Sequence, residues 1–269
     1  MLGFIIFLII LFLALLYLFL ISPRLKDRAD MDMLLVDYAH RGLWNEQYPE
    51  NSLPAFARAA ESGFGIELDI QLTKDKRIVV FHDYDLVRMC GAEKKISELT
   101  YRELCEYRLG GSAFGIPTLA EVLKLVDGRV PLLIELKGED SDTELCKRAV
   151  SLLDKYQGAF SVESFNPLLL QWFKKYRPRY ARGQLVTKVT KKTRKGSAIV
   201  GFALSNLLLN LLSRPDFIAV DGKIRKRPMI FICERLFGAK IFVWTVRNRR
   251  AYETCQRDER HSIFEKFIP

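Results

Sequence analysis

The chain has 269 residues, with 42 lysines and arginines against 32 aspartates and glutamates, and five cysteines. It is too long for a disulfide-stapled miniprotein. At 49% hydrophobic and 28% charged it is too apolar for a disordered chain and too charged for a polytopic membrane protein. The formal charge of +10 is uneven: nothing before Arg24 is charged, residues 24–170 hold 19 basic and 25 acidic side chains, and residues 171–269 hold 23 and 7.

Residues 1–22, MLGFIIFLIILFLALLYLFLIS, form an apolar run closed by Pro23. About 20 helical residues at 1.5 Å rise cover a ~30 Å hydrocarbon core. A secretory signal needs a basic head, a shorter apolar core and a small-residue cleavage site, and this run has none of them. The expected organisation is a transmembrane anchor at 1–23, a juxtamembrane linker at 24–33 and a barrel domain at 34–269. Arg24, Lys26 and Arg28 follow the anchor, so the positive-inside rule predicts a single-pass protein of the cell membrane with the bulk of the chain in the cytoplasm. The odd cysteine count and the lack of a C-x-x-C pair suit free thiols in a reducing compartment.

Apolar or β-branched runs predict strands at 34–40, 65–71, 78–82, 131–137, 159–164, 181–186, 216–221 and 241–246. Helix signals fill most gaps. Ser52-Leu53-Pro54 opens a helix that Gly63 ends, and Thr100-x-x-Glu103 and Thr118-x-x-Glu121 are capping-box patterns. Alternating strands and helices over about 250 residues predict an α/β (β/α)₈ barrel, a TIM barrel. The gap after Ile70 holds only QLTKDKR, which predicts a hairpin about Asp75-Lys76 that sets His82 opposite Leu68, beside Glu67 and Asp69.

Four clusters fall at or near strand ends, where barrel enzymes build their sites: His40-Arg41-Gly42, Glu67-Leu68-Asp69, His82-Asp83 and Glu135-Leu136-Lys137. Alternate residues of a strand share a face, so Glu67 joins Asp69 and Glu135 joins Lys137. Buried carboxylates cost several kcal/mol unless they are paired or bind a metal. Glu67, Asp69 and Glu135 therefore suggest an oxygen-rich site for a hard cation, Mg²⁺ or Ca²⁺. His40 and His82 are two of only three histidines and suit general acid–base work, while Arg41 and Lys137 suit phosphate oxygens. Together they describe phosphoryl transfer or phosphodiester hydrolysis.

His40-Arg41-Gly42, Pro49-Glu50-Asn51-Ser52, ELDIQLTKD (67–75), VVFHD (79–83), Ile116-Pro117-Thr118-Leu119, Ile134-Glu135-Leu136-Lys137, Ser164-Phe165-Asn166-Pro167 and Trp244-Thr245-Val246 occur in an order that resembles the glycerophosphodiester phosphodiesterases. The resemblance covers residues ~36–247 and implies a phospholipase-C-like phosphodiesterase barrel. By position it implies His40 and His82 as the acid–base pair, and Glu67, Asp69 and Glu135 as metal ligands. It likewise implies Arg41 and Lys137 as phosphate contacts, with Phe165 and Trp244 lining the pocket. The implied reaction releases sn-glycerol 3-phosphate and an alcohol, directly or through a cyclic phosphate. The chain departs from the family at Lys76, at Arg247 where asparagine is common, and at 261–267, which replace the usual closing strand. The stretch from 84 to 117 is short, which suggests an open pocket mouth.

Residues 171–200 hold ten basic side chains and no acid. Beside an anchor this run suits an anionic membrane surface, and no nucleic-acid-binding motif accompanies it. Residues 199–212 are apolar but too short to span; they suit an outer barrel helix or an interfacial one, with Asn206 and Asn210 on one face. His261, among Asp258, Glu259 and Arg260, reads as a surface residue. The expected substrate is a glycerophosphodiester. A lysophospholipid, cleaved in a lysophospholipase-D-like way, is the rival enzyme reading, and a catalytically silent lipid-binding barrel is the rival of another class. Oligomeric state is not legible.

Overall fold

Alternation of β-branched runs with capped amphipathic helices produces parallel strands joined by helical crossovers, and here the sheet closes on itself. The computed structural model describes residues 1–26, 28–138, 142–190 and 197–269. In chain order the strands are β1 (Tyr38–His40), β2 (Gly65–Leu72), β3 (Ile78–Val80), the short pair β4 (Asp85–Leu86) and β5 (Ala92–Lys95), β6 (Leu132–Leu136), β7 (Phe160–Ser164), β8 (Ala181–Val186), β9 (Phe217–Asp221), β10 (Lys240–Val246) and β11 (His261–Phe264). The barrel runs β1-β2-β6-β7-β8-β9-β10-β11 and back to β1, every neighbour parallel.

The predicted capping signals act as read. Ser52 accepts from the Ala55 amide, and Thr100 and Thr118 both form full capping boxes. The eighth barrel strand differs from expectation. The 78–82 run is the return arm of a hairpin, with β3 antiparallel to β2 and Ile70 opposite Val80. The place in the barrel belongs to β11, which pairs with both β10 and β1. The expected strand at 34–40 is also shorter, because Asp32–Leu34 is a 3₁₀ turn and pairing begins at Tyr38. His261 is therefore not a surface residue. It opens β11, half-buried with its ring 5.1 Å from that of Phe242, and burial pushes its pKa down.

Two apolar layers hold the barrel. Tyr38, Leu133, Phe217, Phe242 and Ile263 fill one cluster, with the Phe217 and Phe242 rings 5.0 Å apart. Ile66, Leu68, Ile134, Val162 and Ile218 belong to a larger cluster that includes Phe56, Leu119 and Phe173 of the outer helices. The β2 sequence GIELDIQL shows the division: Ile66, Leu68 and Ile70 join the helices, and Glu67 and Asp69 take the alternate face.

Helix Leu2–Ile21 is 20 residues long, with mean hydropathy 3.4, enough by length and composition to cross a membrane. Its body is exposed, but its last turn docks on the barrel domain, where Ile21 is buried. The Ile21 carbonyl accepts from Asn210 Nδ2 at 2.9 Å, and Arg214 bonds the Phe19 carbonyl at 2.8 Å. Arg24 and Arg28 extend this contact, Arg24 to Asp216 at 3.3 Å and Arg28 to the Gly238 carbonyl at 2.9 Å.

The apolar stretch 199–212 is an outer helix, as one reading had it, but a broken one. Helix Ala198–Ser205 ends at Asn206, Leu207 has φ 58°, and Asn210–Ser213 starts a new turn. Asn206 and Asn210 consequently do not share one helix face: Asn206 bonds the Phe202 carbonyl, while Asn210 is buried against Ile21. The basic run is likewise not one surface. Arg182 is buried near Asp216, Lys174 bonds the Leu212 carbonyl and Arg177 pairs with Asp154, leaving Lys175, Arg179 and Lys188 exposed. Lys191, Lys192, Arg194 and Lys195 lie outside the described residues.

Candidate active site

The site forms at the C-terminal ends of the strands. His40 ends β1, and the chain then turns sharply through Arg41 (φ 59°) and Gly42 (φ 81°). A Cβ on Gly42 would lie 2.9 Å from the Ala55 carbonyl carbon, so this turn admits only glycine. It aims the Arg41 amide at Glu67 Oε2, 2.9 Å away.

Register brings the carboxylates together. His40 stands opposite Glu67 across β1–β2, Asp69 opposite Glu135 across β2–β6, and Glu135 opposite Glu163 across β6–β7. Glu67, Asp69 and Glu135 are all buried and offer ligand oxygens within 4.8 Å of one another. Burial, together with the charges of Asp69, Glu135 and Glu163, raises the Glu67 pKa well above its ordinary value. Burial also dominates at Glu135 and raises it despite Lys137. Asp69 goes the other way. Burial opposes its charge, but Lys137, His82, Arg41 and the Asn51 hydrogen bond hold it well below the usual range. Three converging carboxylate oxygens in a buried site fit a hard divalent cation, whose charge would offset the burial and mutual repulsion that raise Glu67 and Glu135.

The two cations are already engaged with this cluster. Lys137 Nζ lies 2.9 Å from Asp69 Oδ1 and 2.8 Å from Glu135 Oε1. The Arg41 guanidinium reaches Glu50 Oε1 at 2.7 Å and approaches Asp69 Oδ2 at 3.5 Å.

Each histidine is gripped through Nδ1. His40 Nδ1 is 2.6 Å from Glu265 Oε2, and His82 Nδ1 is 2.6 Å from Asp83 Oδ1. The His82 loop is fixed in turn by Gln71, whose Nε2 donates to the Phe81 and Asp83 carbonyls, both at 2.7 Å. Arg88 binds Asp83 at 2.6 Å and also Glu50, tying the His82 loop to the Arg41 turn. Burial lowers the pKa of His40, partly offset by Glu265. Glu265 itself is held at about 2, because His40 and Arg247 outweigh the cost of its burial.

A cavity of about 260 Å³ opens over this arrangement. His40, Arg41, Glu67, His82, Glu135, Phe165 and Trp244 line it, seven of the nine expected site residues. Asp69 and Lys137 are not among its lining residues, but both contact residues that are. Phe165 and Trp244 meet edge to face at 5.6 Å on one wall, and Trp244 Nε1 is fixed to the Ala219 carbonyl.

The residue-by-residue match extends along the whole domain: the sequence profile of the glycerophosphoryl diester phosphodiesterase family matches residues 40–266. The chain belongs to this family. A glycerophosphodiester phosphodiesterase of Caldanaerobacter subterraneus is 30% identical over 227 residues, 80% of this chain and 87% of the relative. A phosphodiesterase structure from Oleispira antarctica superposes with TM-score 0.71 at 22% identity, covering 86% of this chain and 92% of its own, which establishes the shared barrel. Human lysophospholipase D GDPD1 is 33% identical over 158 residues, 54% of this chain and 48% of the relative. This protein is accordingly an enzyme, a glycerophosphodiester phosphodiesterase.

The structure adds four residues that sequence reasoning left out. Glu50 and Asn51 stand in the quoted PENS motif, yet their bonds to Arg41 and Asp69 depend on the Arg41 turn. Glu163 precedes the SFNP motif and is buried in the same row as Glu135, with Oε2 unpartnered. Glu265 lies in the segment where the chain departs from the family pattern. Only the pairing of β11 with β1 identifies it as the partner of His40.

Proposed function

We propose that this phosphodiesterase hydrolyses glycerophosphodiesters at a membrane in a divalent-cation-dependent reaction, with His40 and His82 sharing the proton transfers. The carrying observation is that a carboxylate holds Nδ1 of each imidazole, at 2.6 Å in both cases, while both rings line the cavity beside Glu67 and Glu135. With Nδ1 occupied, Nε2 of each ring is the atom left to exchange protons with a substrate. Water adds its oxygen to phosphorus and the P–O bond to the alcohol breaks. One imidazole takes the proton from water, and the other delivers one to the departing alcohol oxygen. The products are sn-glycerol 3-phosphate and the free alcohol.

Glu67, Asp69 and Glu135 would hold the cation, Mg²⁺ or Ca²⁺. When bound it supplies positive charge to the phosphate oxygens. Arg41 adds a fixed guanidinium at the cavity wall, with Glu50 holding it in place, and Lys137 balances the charge of Asp69 and Glu135. Phe165 and Trp244 close off water on one side of the glycerol. The exposed apolar helix at residues 2–21, with Arg24, Lys26 and Arg28 behind it, supports a single-pass anchor and a cytoplasmic barrel.

The test is release of glycerol 3-phosphate from glycerophosphocholine by the full-length protein in detergent, after EDTA treatment and after adding back Mg²⁺ or Ca²⁺. Activity abolished by EDTA and restored by one ion is the expected result. Absence of product with every ion would refute this reading and favour a silent lipid-binding barrel.

A further inference from the structure

Where the N-terminal helix meets the barrel, a second cavity of about 430 Å³ is lined by five cations: Arg24, Lys26, Lys174, Arg182 and Arg214. It lies at the opposite end of the barrel from the catalytic pocket, since Arg182 is the second residue of β8 and its ion-pair partner Asp216 immediately precedes β9. Among the described residues no acid lines it. Asp216 reaches two of the five cations, Arg24 at 3.3 Å and Arg182 at 3.9 Å, and it also accepts from the Ala29 and Arg182 amides. Lys26, Lys174 and Arg214 have no ion-pair partner among the described residues.

The excess positive charge leaves its mark on three of these groups. Lys174 Nζ donates to the Leu212 carbonyl at 3.0 Å, and burial beside Arg214 and Arg182 pushes its pKa down. Burial lowers Arg214 as well, although the Phe19 and Ser22 carbonyls accept from its Nη1 at 2.8 and 2.9 Å. Arg182 is only 2% exposed, and its Nη1 has no hydrogen-bond partner among the described residues. Burial brings its pKa down to about 10 against the pull of Asp216. A buried charged donor without an acceptor is costly, and an anion placed among these cations offsets that cost.

The rest of the lining sets the depth of the cavity. Phe19 and Ser22 lie at the end of the apolar helix, whose 20 residues span a hydrocarbon core of ~30 Å. With residues 2–21 in the bilayer, the cavity opens at the level of the lipid headgroups. The Phe19 ring lies 4.7 Å from the Arg214 guanidinium, which sets apolar surface directly against the cations. That pairing suits an amphiphilic anion better than an inorganic one.

We propose that this cavity binds the phosphate headgroup of an anionic phospholipid, seated between the end of the N-terminal helix and the barrel. The proposal rests on the anchor reading above and is independent of the catalytic one. A bound lipid holds this end of the barrel at the membrane and leaves the catalytic mouth facing water. Each basic side chain near an anionic surface contributes roughly fivefold in binding.

The experiment is native mass spectrometry of the full-length protein in nonionic detergent, titrated with phosphatidylglycerol and with phosphatidylcholine of the same acyl chains. We expect phosphatidylglycerol to bind at least about tenfold more tightly. Lys26→Gln/Lys174→Gln breaks no ion pair among the described residues and should cut that preference at least about fivefold, with Lys26→Gln alone giving a smaller part of the loss. Lys174→Arg keeps the charge and should keep the preference. So should Lys175→Gln/Lys188→Gln, which removes two exposed charges outside the cavity. Circular dichroism checks that each variant is folded. Equal affinity for the two lipids overturns the site, and so does an equal loss in the Lys175/Lys188 variant, because the charge would then act as a diffuse surface. Displacement of the lipid by millimolar inorganic phosphate also overturns it and makes this a soluble-anion site. Carbonate washing of membranes reads the anchor separately. Protein released by the wash refutes anchor and lipid site together, whereas protein that stays and shows no lipid preference refutes the site alone.

Discussion

The two histidines of the site are built in opposite ways. His82 sits at the end of a hairpin, and its neighbours Gln71, Asp83 and Arg88 all lie within eleven positions of it. His40 depends on Glu265, 225 residues away along the chain, delivered by the strand that closes the barrel. One half of the site is local and more exposed, with Asp83 at 23%; the other is long-range and sealed, with Glu265 at 7%. A short hairpin fixes its geometry through turn chemistry and nearest neighbours. A contact across the barrel seam exists only once every strand has found its register.

The strongest challenge to this contrast acts on the cluster both halves share. Glu67→Gln or Asp69→Asn is expected to lower kcat by at least about 10³-fold while circular dichroism stays native, since the proposed cation would lose a ligand while the strands keep their pairing. Full activity in either variant would remove the metal assignment.

Next comes the comparison itself. Glu265→Gln is expected to cost about 10²-fold in kcat, and Asp83→Asn about tenfold, because carboxylates that orient a working histidine are worth these amounts. His82 keeps the Gln71-braced loop when Asp83 changes, whereas His40 loses the carboxylate that holds its Nδ1. Equal losses would mean that the local brace adds nothing.

A smaller effect is expected from Arg247→Asn. This removes a half-exposed guanidinium 2.6 Å from Glu265 and leaves the His40 contact in place. We expect a loss of about threefold, in line with the modest worth of partly exposed ion pairs. A loss as large as that of Glu265→Gln would make Arg247 part of the catalytic unit.

The smallest effect is expected from truncation. Removing residues 1–16, all exposed, should leave glycerophosphocholine turnover within about twofold, an effect comparable to that of a neutral surface change. Extending the cut through Ser22 also removes buried Ile21 and leaves Asn210 without the carbonyl it donates to. The longer cut should lower the melting temperature where the shorter one does not; equal melting temperatures would show that the docked turn contributes nothing to the barrel.

Residue periodicity and spacing alone determined the barrel class, the apolar N-terminal helix, the 67–83 hairpin and the residues of the carboxylate cluster. Each is written in short range: alternation along a strand, a capping box, a seven-residue gap too short for a helix. The tertiary structure alone decided which segment closes the barrel, that Asn206 and Asn210 part company at Leu207, that Arg182 leaves the basic surface for Asp216, and that Glu163 and Glu265 join the site. These depend on inter-strand register and on burial, and neither leaves a periodic trace in the chain. The +10 charge divides in the same way. Its position along the sequence pointed to a basic face, but ion pairing within the fold takes Arg177 and Arg182 out of that face. What remains beside the N-terminal helix is helix Ala198–Ser205, with Ile199 and Phe202 exposed on its outer side.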